Sequence, residues 1–275
     1  MIDRAQELKA SPLSSDVLGR RTVALIFQAP STRTRVSFEA GITELQGHPM
    51  VLRTEDLQLA RGESVRDTAY VLSRHAAAIG IRTGPDELVR ELSQHAGVPV
   101  FNMLSAGHHP CQALADLLTL KETFGRLEGL KVAYVGDGNN VARSLAVLGA
   151  LAGVEVRIAS PARYSLSAPV AGAVLSEDPR EAAAGADALY TDVWVSMSDD
   201  PASAQDRRRA LQPYRMDGEL LRLAAPQAIV LHCLPAHPGE EITEELLYGE
   251  RQRIWEQAEN RRHAQKALLE LLLSG

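Results

Sequence analysis

Short apolar runs alternate with amphipathic stretches along the whole chain. The runs predict strands at Thr22–Phe27, Met50–Arg53, Ala77–Ile81, Val98–Asn102, Val132–Gly136, Val154–Ala159, Ala188–Thr191 and Ala228–His232. Helical spacing lies between them, near Arg35–Leu45, Ser64–His75, Asp86–His95, Cys111–Phe124, Val141–Leu151, Pro179–Ala186, Asp217–Leu223 and Thr243–Tyr248. A last stretch, Gln252–Leu272, has the length and apolar positions of a helix that returns to pack on the first half of the chain. Alternation of this kind reads as α/β: two doubly wound parallel sheets, with ligands held at the carboxyl ends of strands. Between Phe124 and Gly129 a helix stop at Gly125 and a second glycine before a new strand mark a hinge. The expected domains are residues 1–124, completed by about 252–275, and residues 125–251.

Composition narrows the function classes. At 275 residues the chain has room for two ordinary domains, and 45% hydrophobic with 23% charged residues is a globular balance. The formal charge of −6 (29 − 35) argues against a nucleic-acid partner, so any anion site must be local. Two cysteines far apart, Cys111 and Cys233, make no disulfide framework and fit a reducing compartment. The N-terminal residues lack a signal-like pattern and no apolar run reaches membrane-spanning length, so the expectation is a cytoplasmic protein without a membrane partner.

The polar clusters fall just after predicted strands. Ser31, Thr32, Arg33, Thr34 and Arg35 follow the first strand and lead into a helix. A helix start attracts anions because its first N–H groups are unpaired and its dipole is positive there. Arg33 and Arg35 add forked donors that match phosphate oxygens. Gly136, Gly138, Asn139 and Asn140 form a glycine turn between strand and helix, which could open a dinucleotide fold. The next strand ends at Ser160 and Pro161 with no carboxylate for a ribose, and Val141 and Ala142 follow where a third glycine belongs. The two asparagines suit a small polar ligand instead, leaving a nicotinamide-dependent dehydrogenase as a lesser alternative.

His109, Pro110, Cys111 and Gln112 open another helix, with proline at a standard starting position. His108, His109 and Cys111, joined by His232, Cys233 and His237, raise zinc as a rival, but none of the spacings is a recognised zinc pattern. An imidazole polarising a carbonyl suits a phosphate site better, so no metal and no organic cofactor are expected. Asp192, at the end of a strand, could receive an ammonium group. Cys233 alone would suggest a thiol nucleophile, yet no base is assignable to it.

Taken together, Ser31–Arg35, His109–Gln112, Gly136–Asn140, Asp192–Met197, His232–Pro235 and Glu259–Arg261 resemble the aspartate/ornithine carbamoyltransferase family, in the family's order and over nearly the whole chain. Within that family, the spacing of Asp192, Ser196 and Met197, with His232, Cys233, Leu234 and Pro235, favours ornithine as acceptor, and His232 argues for unmodified ornithine. The resemblance implies transfer of a carbamoyl group from carbamoyl phosphate to L-ornithine, giving L-citrulline and phosphate, in arginine biosynthesis or catabolism. It assigns Ser31, Thr32, Arg33 and Thr34 to the phosphate, Arg82, His109 and Gln112 to the carbamoyl group, and Arg261 to the same substrate from the terminal helix. Asn140, Asp192, Ser196 and Met197 would hold ornithine, while Cys233 and Leu234 orient its δ-amine beside the carbamoyl group without a covalent intermediate.

The resemblance also implies a homotrimer or a multiple of it, with Gln58 reaching a neighbouring protomer's phosphate. Three departures accompany it. The chain starts inside what looks like the family's first helix, residues 160–178 are shorter than the family pattern, and Ser198 stands where glycine normally follows Ser-Met. The last raises the alternative of another amine acceptor, such as putrescine or a modified ornithine.

Overall fold

The structure, a computed structural model, describes residues 1–166, 168, 170–196 and 200–274. It divides into two compact units, Met1–Leu118 with Glu259–Gly275, and Thr119–Ala258. The first unit runs α1 (Ile2–Ala10), β1 (Thr22–Phe27), α2 (Thr32–Glu44), β2 (His48–Arg53), α3 (Val65–Leu72), β3 (Ala78–Arg82), α4 (Asp86–His95), β4 (Val100–Leu104) and the start of α5 (Pro110–Phe124). Its four strands are parallel in the order β2-β1-β3-β4.

Strand β1 shows why this sheet forms. Val23, Leu25 and Phe27 join a buried cluster with Phe38 and Ile42 of α2, while Ala24 and Ile26 join Ala69, Leu72 and Leu92 on the other face. A strand covered on both faces must be apolar without interruption, as this one is. The chain leaves β1 for β2 on one side and later crosses back to β3, so β1 and β3 form the switch point outside whose carboxyl ends a ligand site is expected.

The second unit runs β5 (Lys131–Val135), α6 (Asn140–Leu151), β6 (Glu155–Ala159), β7 (Ala173–Ser176), α7 (Pro179–Ala183), β8 (Ala188–Thr191), α8 (Ala204–Leu211), α9 (Gly218–Leu223), β9 (Ile229–His232), α10 (Glu244–Leu247) and the start of α11 (Ile254–Leu273). Its five strands are parallel in the order β7-β6-β5-β8-β9, with the switch point between β5 and β8. The hydrophobic pattern predicts neither β7 nor α8. Strand β7 is a short edge with Val174 and Leu175 about half exposed, and α8 buries only Leu211 among its polar residues. Helix α7 ends at Ala183 rather than Ala186, because Gly185 turns the chain at φ +65°.

In the first unit the C-terminal part of α11 packs on α2, as expected of a returning helix. Leu269 joins the cluster of Phe38 and Ile42. Gly41 lets the helices approach, since a Cβ there would lie 3.2 Å from Cγ of Lys266 and 3.4 Å from the carbonyl oxygen of Arg262. Nearby, the His263 side chain is 1% exposed, and its pKa is lowered to about 4 by burial first, then by the charges of Lys266 and Arg262. The folded state therefore resists a proton that the unfolded chain accepts below about pH 6.5. Stability from this site is complete above that value and falls as pH drops towards 4, where the loss levels off. Melting temperatures measured between pH 7 and 4 are expected to fall, and to fall less steeply in His263→Gln.

No helix among the described residues is long and apolar enough to cross a membrane.

Candidate active site

Outside the carboxyl ends of β1 and β3, the first unit gathers most of the residues anticipated for an anion. Ser31 caps α2, its Oγ accepting from the N–H of Thr34 at 3.4 Å. Thr32, Arg33 and Thr34 are then the first turn of the helix, where backbone N–H groups have no partners within the helix. The turn is tied to its neighbour: Gln28 N–H donates to the Arg82 carbonyl at 2.9 Å, and the Thr83 hydroxyl to Gln28 Oε1 at 2.6 Å.

Arg261 of α11 organises the buried side of this turn. It is 3% exposed; Nη2 donates to Thr34 Oγ1 at 2.7 Å, and Nη1 donates to Gln112 Oε1 and lies 3.5 Å from Nε2 of His109. Gln112 in turn donates from Nε2 to Asp116 at 2.8 Å, one turn further along α5. Asp116 is thus a supporting residue that motif reading passed over, although Gln and Asp four apart on a helix are natural partners. Burial, followed by the charges of Arg261, Arg82 and Arg33, holds the His109 imidazole well below its usual pKa. His109 is therefore neutral, and three guanidiniums lie near enough to act on it, an electropositive setting suited to an anion.

Two anticipated donors are not part of this network. Arg35 is exposed and pairs with Glu39 at 2.9 Å, one helical turn along, so of the two arginines only Arg33 acts on the site. Gln58 is exposed on a 3₁₀ turn, Gln58–Arg61. Cys111 is sealed in the core, where burial pushes its thiol up to about 12, so it carries no thiolate chemistry.

The second unit builds a separate polar centre at its own switch point. Asn139 caps α6: its Oδ1 accepts from the N–H groups of Val141 at 2.9 Å and Ala142 at 3.2 Å, and from the Tyr134 hydroxyl at 3.2 Å. Its Nδ2 is thereby aimed at Oδ2 of Asp192, 2.8 Å away, while the Cys233 thiol donates to Oδ1 at 2.8 Å. Asn139 orients the acid; a strand, a glycine turn and an asparagine at the cap position were the signal. Gly136, at φ +134°, passes where a Cβ would stand 3.2 Å from Thr191 Oγ1, which keeps the turn close to β8.

A buried histidine shapes the turn after β9. His232 Nδ1 accepts from the Leu234 N–H at 2.8 Å, and Nε2 faces Glu241 Oε1 at 3.1 Å. The carboxylate fixes the tautomer, and the ring then holds Leu234 in a left-handed backbone at φ +60°. Glu241 is a second residue without a motif signal. Asp192, His232 and Cys233 each bring a potential ligating atom within 4.8 Å of the others, but here those atoms hydrogen-bond one another and the backbone. Ser196 is exposed, and Met197 and Ser198 lie outside the described residues.

Comparison with known proteins decides the family. Residues 1–122 match the model described as aspartate/ornithine carbamoyltransferase, carbamoyl-P binding domain, and residues 128–272 match that of the Asp/Orn binding domain. The chain belongs to the aspartate/ornithine carbamoyltransferase family. Among relatives within it, ornithine carbamoyltransferase of Acidothermus cellulolyticus is 52% identical over 286 aligned positions, covering 99% of this chain and 91% of that protein. Ornithine carbamoyltransferase of Methanoculleus marisnigri is 49% identical, with 99% and 90% covered. The ornithine carbamoyltransferase structure from Pyrococcus furiosus aligns with TM-score 0.94 at 43% identity, covering 100% of this chain and 92% of that one. That from Thermus thermophilus aligns with TM-score 0.91 at 46% identity, with 99% and 93% covered. The two-domain carbamoyltransferase fold expected from the motifs is therefore the fold present.

Proposed function

We propose that this family member transfers the carbamoyl group of carbamoyl phosphate to the δ-amine of L-ornithine, giving L-citrulline and phosphate. The observation that carries the reading is the orientation of Asp192. Both its oxygens are held by neutral donors, Asn139 and Cys233, so its negative charge remains to be matched by a substrate ammonium.

In this reading residues 1–124, with 252–275, bind carbamoyl phosphate and residues 125–251 bind ornithine. The α2 turn of Ser31, Thr32, Arg33 and Thr34 takes the phosphate. Arg82, neutral His109 and Gln112, held by Arg261, give N–H groups to the carbamoyl oxygen. Asp192 takes the α-ammonium of ornithine, with Asn140, Ser196 and Met197 around the amino-acid end, while Cys233 and Leu234 orient the δ-amine. The uncharged amine attacks the carbonyl carbon, negative charge grows on the oxygen, the nitrogen passes a proton to the departing phosphate, and the C–O bond to that phosphate breaks. Donors already aimed at that oxygen lower the barrier; each is worth about 2.7–4 kcal/mol when removed. Neither a metal nor an organic cofactor enters these steps.

A citrulline assay against ornithine, acetylornithine, putrescine, lysine and aspartate tests the reading. Ornithine is expected to lead by roughly 100-fold or more in kcat/KM, since a site built to pair polar groups rejects ligands that leave them unmatched. A lead for another amine would replace the acceptor; no carbamoylation of any amine would end the proposal. Asp192→Asn is expected to raise the ornithine KM by about 30-fold or more, the cost of losing a charged hydrogen bond, while the affinity for carbamoyl phosphate stays unchanged.

The proposed assembly is a homotrimer in a reducing, cytoplasmic setting. Two free cysteines suit that setting, and exposed Gln58 is available to a neighbouring protomer. Light scattering is expected to give about three times the 29.8 kDa of one chain, or a multiple of that mass.

A further inference from the structure

Two loops of the first unit adjoin the residues assigned to the carbamoyl group: Arg82 ends β3 just before the β3–α4 loop, and the β4–α5 loop leads through His109 into α5 and Gln112. A polar cluster separate from Arg261 joins them. Asp86, the first residue of α4, accepts the Ser105 hydroxyl on Oδ1, and the same oxygen lies 3.3 Å from Nδ1 of His108. Ser105 is fully buried and receives Nδ2 of Asn102 at 2.7 Å. Backbone bonds run alongside, from Ala106 N–H to Gly84 at 2.6 Å and from Thr83 N–H to Leu104 at 2.9 Å. Gly107 approaches so closely that a Cβ would stand 2.5 Å from Asp86 Oδ2.

An acid in the first turn of a helix can serve the helix dipole alone. Asp86 does more, because both of its side-chain partners belong to the other loop. Burial acts to raise its carboxyl, yet the hydrogen bonds from Ser105 and His108, with the charges of His108 and Arg90, outweigh that and hold it below the usual carboxylate range.

We propose that Asp86, through Ser105 and His108, is a positioning residue that clamps the loop of Arg82 to the loop of His109 and Gln112, setting the spacing of the groups that grip the carbamoyl oxygen. The inference rests on the proposed function. Errors of about 1 Å in such spacing can cost up to roughly 100-fold in rate.

The test uses the full chain and starts from citrulline formation by the wild type. Asp86→Ala is expected to raise the carbamoyl phosphate KM and lower kcat for a combined loss of about tenfold or more, with the ornithine KM within about twofold. His108 is half exposed, so its variants fold and report even where Asp86→Ala folds poorly. His108→Leu is expected to show part of the same loss, and His108→Gln, whose amide can donate to Asp86, to recover most of it. An unchanged carbamoyl phosphate KM and kcat in Asp86→Ala, equal loss toward both substrates, or His108→Gln as impaired as His108→Leu would overturn the clamp. A wild type that carbamoylates no amine would instead remove the functional reading, and the clamp with it.

Discussion

Arg261→Met is expected to lower kcat/KM for carbamoyl phosphate by about a thousandfold or more, while the protein stays folded. Losing one aimed donor typically costs about 100- to 1,000-fold. Arg261 does more than donate once, because it fixes Thr34 and Gln112 and faces His109. Methionine fills similar space without charge, and its arrival relieves the crowding of like charges that Arg261, Arg82 and Arg33 impose around His109. The melting temperature of the free variant is therefore expected to stay close to that of the wild type. Added carbamoyl phosphate should separate the two, since a ligand bound only to the native state stabilises it by about 2.7 kcal/mol at 100 times its Kd. A clear upward thermal shift is expected for the wild type and almost none for Arg261→Met. Equal shifts would mean that Arg261 is not part of the anion site.

The limits of motif reading show at particular residues. Strands β1 and β8 were legible to the residue, because each lies in a sheet interior and is apolar but for one terminal threonine. Strand β7 was not, since an edge needs little burial and leaves little pattern. The same contrast holds within the site. Ser31, Thr34, His109, Gln112 and Arg261 stand in motifs beside strand ends or helix starts, and the fold brings them together in the first unit. Asp116, Asn139, Glu241 and Asp86 work one step behind such residues. Their roles depend on which side chain meets which across loops distant in sequence, and periodicity carries no information about that. Arg35 is the opposite case: its motif position promised an anion contact, but two residues beyond Arg33 it is turned to solvent and to Glu39.

Stability should depend most on one buried cation. Lys266 is fully buried on α11, and its Nζ donates to the carbonyl oxygens of Leu8 at 3.0 Å and Pro12 at 3.1 Å and to Glu44 Oε2 at 2.5 Å. One ammonium therefore holds the end of α1, the loop beyond it and α2 against the terminal helix, using all three of its protons. Lys266→Ala is expected to destabilise the protein by about 3–5 kcal/mol, because it strands the Glu44 carboxylate and two carbonyls and leaves a cavity. In a chain of this size that corresponds to a fall in melting temperature on the order of 10 °C. Arg262, 3.3 Å from Glu44 Oε1, keeps part of the compensation for that acid, so the lower end of the range is favoured. The double variant Lys266→Met with Glu44→Met refills the stem's space and removes the stranded acid together. Apolar replacement of both partners removes the stranded charge, and such exchanges often come out near neutral. The double variant should thus melt well above Lys266→Ala. If both melt together, refilling the stem's space and removing the stranded acid gain nothing, and what holds α11 in the first unit is the ammonium's bonds to the Leu8 and Pro12 carbonyls.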